Sequence, residues 1–271
     1  MPVPRRLARP LAAAALALAL AGCGASVLPT ITSDADRLAA ARTLMARRNW
    51  IAAAELLRVH VDRSLGSADV DEAIYLLGEC HLGAREWALA QVEFERLVRD
   101  YPESDSAAAA SFQLGAALFG QTRPADFDQE FTVRAIEQWQ RYLASYPGHW
   151  RNAEAERRIA DGRARLARKL DATGRLYVKL RRPGPARVYF ERVRDEYADT
   201  PLVGDALIGL AWCDALEGRR AQALERLDDL EARFRGQPLA ARAAAERARI
   251  ARVRPVEADA KDTRVRDPQT P

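Results

Sequence analysis

The sequence is poor in the residues from which enzymes and metal sites are usually built. Only three histidines and three cysteines occur in 271 residues. It contains no glycine-rich phosphate loop, no Gly-x-Ser-x-Gly motif and no His-Glu-x-x-His pair. Glu79, Cys80 and His81 are adjacent, and adjacent residues of a helix point in different directions, so they cannot share one ion. We therefore predict a protein that is not an enzyme and has no metal site and no cofactor.

Long apolar runs, strand patterns and a large excess of one charge are also absent. The run Leu11–Ala21 is shorter than the roughly 20 residues that span a bilayer. No alternation of apolar and polar residues between turn residues predicts a strand. The net charge is +4, and the first 22 residues carry three arginines and no acid, which leaves +1 for the rest. A nearly neutral body without a basic stripe argues against nucleic acid as a partner.

The first 23 residues have the pattern of a cleaved leader. A basic segment with Arg5, Arg6 and Arg9 precedes the apolar run, and small residues follow it, as in secretory signal peptides. Leu20-Ala21-Gly22-Cys23 resembles the lipobox of bacterial lipoproteins, which implies cleavage after residue 22 and a lipid on Cys23. Gly24 rather than Asp after the cysteine implies the outer membrane. The alternative is an ordinary leader with a chance cysteine.

A repeat of helical hairpins is the main fold signal. In the tetratricopeptide pattern, positions 8 and 20 are small, position 24 is a large apolar residue, and position 32 is a proline that ends the second helix. With Asp71 as position 1, these positions are Gly78, Ala90, Phe94 and Pro102. The stretch from Asp71 to Pro102 therefore predicts one repeat.

The same frame recurs along the chain. The position-20 residues are Ala53, Ala90, Ala135, Ala186 and Ala223. Their steps of 37, 45, 51 and 37 residues exceed the standard repeat of about 34 residues. The wide steps predict insertions around Gln121–Thr132 and within Trp150–Leu170. Five units in one frame favour an all-α tetratricopeptide-repeat solenoid of about five helix pairs over a generic helical bundle.

The segments outside the repeats have different compositions. We expect residues 23–32 to form a lipidated tether and residues 33–251 to form the repeat domain. Residues 252–271 carry many charges and few apolar side chains, which predicts a disordered tail. Cys80 and Cys213 lie in apolar helical patterns, so we expect two separate core thiols rather than a disulfide.

Tetratricopeptide arrays bind their partners on the side lined by the first helix of each pair. In the first three units, family geometry places five residues with binding potential there: Arg42, Tyr75, Glu79, Phe112 and Phe119. They suit a peptide segment that carries aromatic groups. The alternative for each aromatic residue is a place in the core, because aromatics at helical spacing are usually core residues.

Several linker motifs resemble a known family. Tyr-Pro-Glu-Ser and Tyr-Pro-Gly-His follow the second and third repeats, and Asp126-Phe127-Asp128-Gln129-Glu130 lies inside the stretched third unit. Together with the lipobox, these motifs resemble the BamD family, the lipoproteins of the outer-membrane β-barrel assembly machinery. The resemblance covers about residues 11–234. Ala198 in place of a proline and the charged tail depart from the family pattern.

The resemblance implies a scaffold and receptor for unfolded outer-membrane proteins, anchored by lipid at the periplasmic face of the outer membrane. In that family, the N-terminal repeats are thought to receive unfolded barrels, and the C-terminal repeats dock on the barrel-shaped assembly factor BamA. By their positions on the first helices of units four and five, Arg168, Arg175, Asp205 and Trp212 are the candidate docking residues. The alternative is another envelope adaptor of the same fold, such as a cell-division coordinator or a pilus pilotin.

Overall fold

The computed structural model of the protein describes residue 31, residues 33–63 and residues 67–256. The predicted leader, Cys23, most of the tether and the tail from residue 257 lie outside the described residues. The described residues form eleven helices and no strand, which confirms the all-α class. The helices are α1 Asp34–Ala46, α2 Trp50–Arg63, α3 Val70–Gly83, α4 Trp87–Asp100, α5 Ala107–Gly120, α6 Glu130–Ser145, α7 Asn152–Lys179, α8 Pro183–Glu196, α9 Val203–Leu216, α10 Arg220–Arg233 and α11 Pro238–Ile250.

The chain divides into two units, and the first, residues 1–84, contains α1 to α3. Ser33 begins α1 with a capping box: its hydroxyl accepts a hydrogen bond from the Asp36 amide at 3.1 Å, and its own amide donates to the Asp36 carboxylate at 3.0 Å. Helix α2 packs against both α1 and α3. Buried side chains such as Leu57 and Ile74 form the core of this first unit.

The second unit, residues 85–271, contains α4 to α11. Each of these helices packs against its neighbour in the chain, as expected for successive helical hairpins. Helix α9 also contacts α7 and α11, so the first helices of consecutive pairs lie side by side. This arrangement exposes one face of α7, α9 and α11 together.

Glycines set the distance between helices in the second unit, as the small residues of the repeat predict. A Cβ atom on Gly115 of α5 would lie 2.4 Å from the Trp139 indole nitrogen of α6. Phe190 of α8 enters between Gly174 and Gly209, where added Cβ atoms would lie 2.7 and 2.4 Å from its ring. Only glycine leaves room for these rings. Gly115 and Gly174 hold position 8 of their repeats, so they confirm the predicted role of small residues there, whereas Gly209 lies outside the predicted positions.

The two predicted insertions take different forms. The first is a loop between Gly120 and Glu130, and the Gln129 side chain braces it by donating to the carbonyls of Pro124 and Phe127 at 2.9 and 3.2 Å. The second lengthens α7 to 28 residues without a break. From α7, Lys169 donates to the Phe127 carbonyl at 2.7 Å, so the long helix supports the loop.

The two cysteines of the repeat region are buried and unpaired, as predicted. Burial raises the pKa of both thiols, Cys80 and Cys213, to about 12, so they stay protonated and unreactive at neutral pH. Within residues 31–256, as far as they are described, no three histidine, cysteine or acidic residues cluster as metal ligands would. None of the described helices combines the length and the apolar character needed to cross a membrane.

Candidate docking groove

A cavity of about 840 Å³ lies on the shared face of α7, α9 and α11. Its floor is apolar and includes Val178, Ile208, Trp212 and Leu216. Seven cationic side chains line it: Arg175, Lys179, Arg181, Arg242, Arg249, Arg252 and Arg254. Among the residues that the structure describes, only two acidic side chains line it, Asp205 and Glu246. The groove thus offers an apolar surface inside a positively charged border.

A network of carboxylates and guanidinium groups crosses the groove. Arg175 of α7 bonds Asp171 on its own helix at 2.7 Å and Asp205 on α9 at 2.8 Å. Arg242 of α11 pairs with the same Asp205. Burial raises the pKa of Asp171 to about 6, with the nearby charge of Asp205 adding to this shift and that of Arg175 opposing it. These pairs fix the relative positions of three helices.

Trp212 is held on the groove floor by two residues of α11. Its indole N–H donates to the Glu246 carboxylate at 2.9 Å. The guanidinium carbon of Arg249 lies 5.5 Å from the indole centroid, and Arg249 also bonds Glu246 at 2.7 Å. These contacts hold the Trp212 ring in one position in the groove.

The start of the predicted tail borders the groove. Arg181 donates to the Arg254 carbonyl at 2.7 Å, and the Val256 amide donates to the Leu216 carbonyl at 2.8 Å. Residues 252–256 thus make hydrogen bonds to the last repeats, and the rest of the predicted tail lies outside the described residues.

Three of the four predicted docking residues meet in this groove, namely Arg175, Asp205 and Trp212. Arg168 is exposed on α7 and does not line it. Arg242 and Glu246 of α11 also line the groove and were not among the predicted residues. Arg242 follows Asp205 by 37 residues, the same step that separates Ala186 from Ala223, so extending the repeat by one helix would have found it.

The candidates for binding unfolded substrates in the first unit lie on α1 and α3. Arg42 is exposed and pairs with Glu72, which neutralises part of its charge. Tyr75 and Glu79 are half-buried. They follow one another at a spacing of four residues on α3, so they share a face of that helix.

The two aromatic candidates of the second unit differ in exposure. Phe112 is only 2% exposed, and its ring lies 5.6 Å from that of Tyr142 and 6.4 Å from that of Trp139. Its placement in a binding surface is therefore corrected to the core alternative, because packing against α6 leaves no surface for a ligand. Phe119 is half-buried and lies 5.7 Å from the Trp139 ring.

An all-α repeat of helical hairpins with a charged groove on its first helices defines an adaptor of tetratricopeptide type, a class that binds other proteins. Residues 33–226 match the family model YfiO, described as "Outer membrane lipoprotein". The chain belongs to this family, which is the BamD family that its motifs resemble. The match ends within α10, so α11 lies beyond it.

Solved structures with similarity to the chain are distant in sequence. A tetratricopeptide repeat protein from Parabacteroides merdae is 12% identical, with 80% of this chain and 72% of that chain covered and a TM-score of 0.36. YrrB, described as a TPR protein with an unusual peptide-binding site, is 18% identical, with coverage of 79% and 92% and a TM-score of 0.34. The assembly chaperone Acl4 of RpL4 is 15% identical, with coverage of 81% and 97% and a TM-score of 0.29. No curated protein matches the sequence.

Proposed function

We propose that this protein is a non-enzymatic scaffold and receptor for unfolded outer-membrane proteins in the β-barrel assembly machinery. Membership of an outer membrane lipoprotein family supports the location and the process. The observation that carries the proposal is the preformed groove of α7, α9 and α11, with an apolar floor and a surplus of cations. Such a groove suits a folded protein partner whose surface is apolar at its centre and acidic at its edge.

In this proposal the two ends of the repeat domain have different partners. The C-terminal groove docks on the periplasmic domains of a BamA-like outer-membrane assembly factor through Arg175, Asp205 and Trp212. The N-terminal repeats receive unfolded barrel segments, and Arg42, Tyr75 and Glu79 supply charged and aromatic contacts. The half-buried Phe119 retains one edge for the same role, whereas Phe112 is excluded by its burial.

The anchor in this proposal is a lipid on Cys23, at the periplasmic face of the outer membrane. The leader pattern and the family description support it. One acyl chain binds a bilayer only reversibly, whereas two or more hold stably, so a diacylglycerol with a further acyl chain retains the protein.

Docking can be tested by reversing charge at the border of the groove. Lys179 and Arg252 are exposed, line the groove and make no ion pair within the described part of the chain, so Lys179→Glu with Arg252→Glu should leave the fold intact. We expect co-purification of the assembly factor from detergent-solubilised, cross-linked membranes to fall at least tenfold. Arg168→Glu is the control, because it makes outside the groove the same change of two charge units that each of the two substitutions makes within it.

Unchanged co-purification in the double variant would contradict docking at this groove. Depletion of the protein should also lower the level of folded outer-membrane barrels, and normal barrel levels would contradict the function itself. Recovery of division, peptidoglycan or pilus proteins in place of a barrel with periplasmic domains would identify the alternative adaptor.

A further inference from the structure

Three of the linkers in the second unit form the same backbone turn. In each, the residue three places after a tyrosine donates its amide hydrogen to the tyrosine carbonyl: Ser104 to Tyr101 at 3.1 Å, His149 to Tyr146 at 3.2 Å, and Thr200 to Tyr197 at 3.0 Å. The next residue is Asp105 in the first turn, Trp150 in the second and Pro201 in the third. The turn therefore forms without a tryptophan, and Trp150 has no role that the backbone requires.

Trp150 stands on a protruding tip. It is 79% exposed, more than any other large apolar side chain of the described residues. Pro147 and Gly148 beside it are exposed, and a Cβ atom on Gly148 would meet no atom within 4 Å. Single exposed apolar side chains are common on protein surfaces, so the groups next to Trp150 decide what such a ring can contact.

The two residues on either side of Trp150 contact buried aromatic residues of the core. The Tyr142 hydroxyl and the His149 Nδ1 atom are 2.6 Å apart, and the His149 and Trp150 rings are 5.7 Å apart. The guanidinium carbon of Arg151 lies 4.1 Å from the centroid of the buried Phe112 ring and 5.1 Å from that of Trp150. The His149 ring and the Arg151 guanidinium thus lie beside the Trp150 ring, while most of its surface is open to solvent.

One cationic side chain, Arg151, lies against the indole, and two further arginines, Arg157 and Arg158, follow within the first two turns of α7. Arg151 pairs with Glu154 at 3.4 Å, and Glu154 pairs with Arg158 at 3.3 Å. Arg157 is exposed and has no ion pair within the described residues. A tryptophan flanked by arginines is typical of residues at the headgroup level of a bilayer, where the ring is half in lipid and the cations meet phosphates.

We propose that the turn of residues 146–151, called here the Trp150 turn, rests on the phospholipid surface with the indole among the headgroups. A protein interface would bury about 800 Å² on each partner around an apolar centre, whereas Trp150 is the only large apolar side chain at this tip. Insertion of a single protruding ring needs no such patch. The proposal rests on the membrane location of the family and not on docking at the groove of α7, α9 and α11.

The test uses the full-length protein extracted from its own envelope with its anchor and reconstituted in vesicles of phosphatidylethanolamine and phosphatidylglycerol. Lipids brominated near the glycerol quench tryptophans that lie at the headgroup level. We expect clear quenching in the native protein and its near-complete loss in Trp150→Phe. The other tryptophans serve as internal references, and Trp139 among them is fully buried.

A matched pair of cysteine variants measures directly how deeply position 150 lies in the bilayer. Trp150→Cys and Asp105→Cys occupy the same position of two equivalent turns, and the buried Cys80 and Cys213 do not compete for a label. A fluorescent label at position 150 should be shielded from water-soluble quenchers several-fold more than the label at position 105. Equal shielding, or equal lipid quenching in native protein and Trp150→Phe, would overturn the proposal.

A protein partner at the Trp150 turn would give a different pattern. In that case Trp150→Ala would reduce co-purification of the assembly factor without any lipid quenching of the native protein, which would also overturn the proposal. If the docking function is wrong and this inference is right, lipid quenching persists although no assembly factor co-purifies.

Discussion

Single glycines decide how closely the helices of the second unit approach. Trp139 of α6 and Phe190 of α8 are both buried, and they fit because Gly115, Gly174 and Gly209 carry no side chain. The Trp139 indole also donates to the Phe112 carbonyl at 3.1 Å, so the contact fixes the position of the ring as well as its depth. The packing between α5 and α6 therefore depends on one missing methyl group.

Gly115→Ala should destabilise the fold by about 1–3 kcal/mol, because a rigid indole 2.4 Å from the new Cβ must move. Gly184→Ala is the control: a Cβ there meets nothing within 4 Å, and alanine favours helix by up to about 1 kcal/mol. Urea unfolding followed by circular dichroism measures both. Equal stability of the two variants would show that α5 and α6 adapt to the added methyl group.

Between elements, the carboxylates of the groove connect α7, α9 and α11. Asp171 makes the free energy of unfolding depend on pH, because its pKa in the folded protein is about 6, against an ordinary value of 3.8. A raised carboxyl pKa means that folding favours the protonated acid. Its contribution to stability is therefore present at low pH and is lost as the pH rises from about 4 through 6.

Asp171→Asn should remove this pH dependence. At about 1.4 kcal/mol per pKa unit, the free energy of unfolding of the variant relative to the native protein should rise by about 2–3 kcal/mol between pH 4 and pH 7.5. Urea unfolding at both pH values measures the difference. A difference that does not change with pH would mean that Asp171 titrates normally.

The repeat frame predicted the elements well, because position-specific small residues and Tyr-Pro stops depend on local geometry. It did not establish that residues 152–179 form one helix, because an insertion without proline is compatible with one longer helix or with two helices.

The residues of the site were harder to predict than the helices. The helical period places Phe112 and Phe119 on similar faces, yet only contacts with α6 bury the first ring. Arg168 and Arg175 are separated by two turns of α7. Of these two residues, only Arg175 lines the groove.

At the scale of the whole molecule, the proposed lipid anchor and the proposed docking groove involve different residues, so each can be tested without the other. Cys23→Ser should move the protein from the membrane pellet to the soluble fraction, because each buried CH₂ of the lipid contributes about 0.8 kcal/mol to membrane binding. Fractionation and immunoblotting measure this. Continued pelleting after a wash at high salt would show that the chain does not depend on a lipid at this residue.

The unbroken course of α7 has a consequence for how the protein unfolds. In arrays of independent hairpins, each repeat can open while its neighbours stay folded, since stability is a sum over repeats and their interfaces. Here a single rod of 28 residues, about 42 Å long, packs against α6 of the third hairpin and α8 of the fourth. Unfolding the middle of α7 would break its contacts with α6 and with α8 at the same time. We therefore expect the third and fourth hairpins to unfold together as one cooperative block.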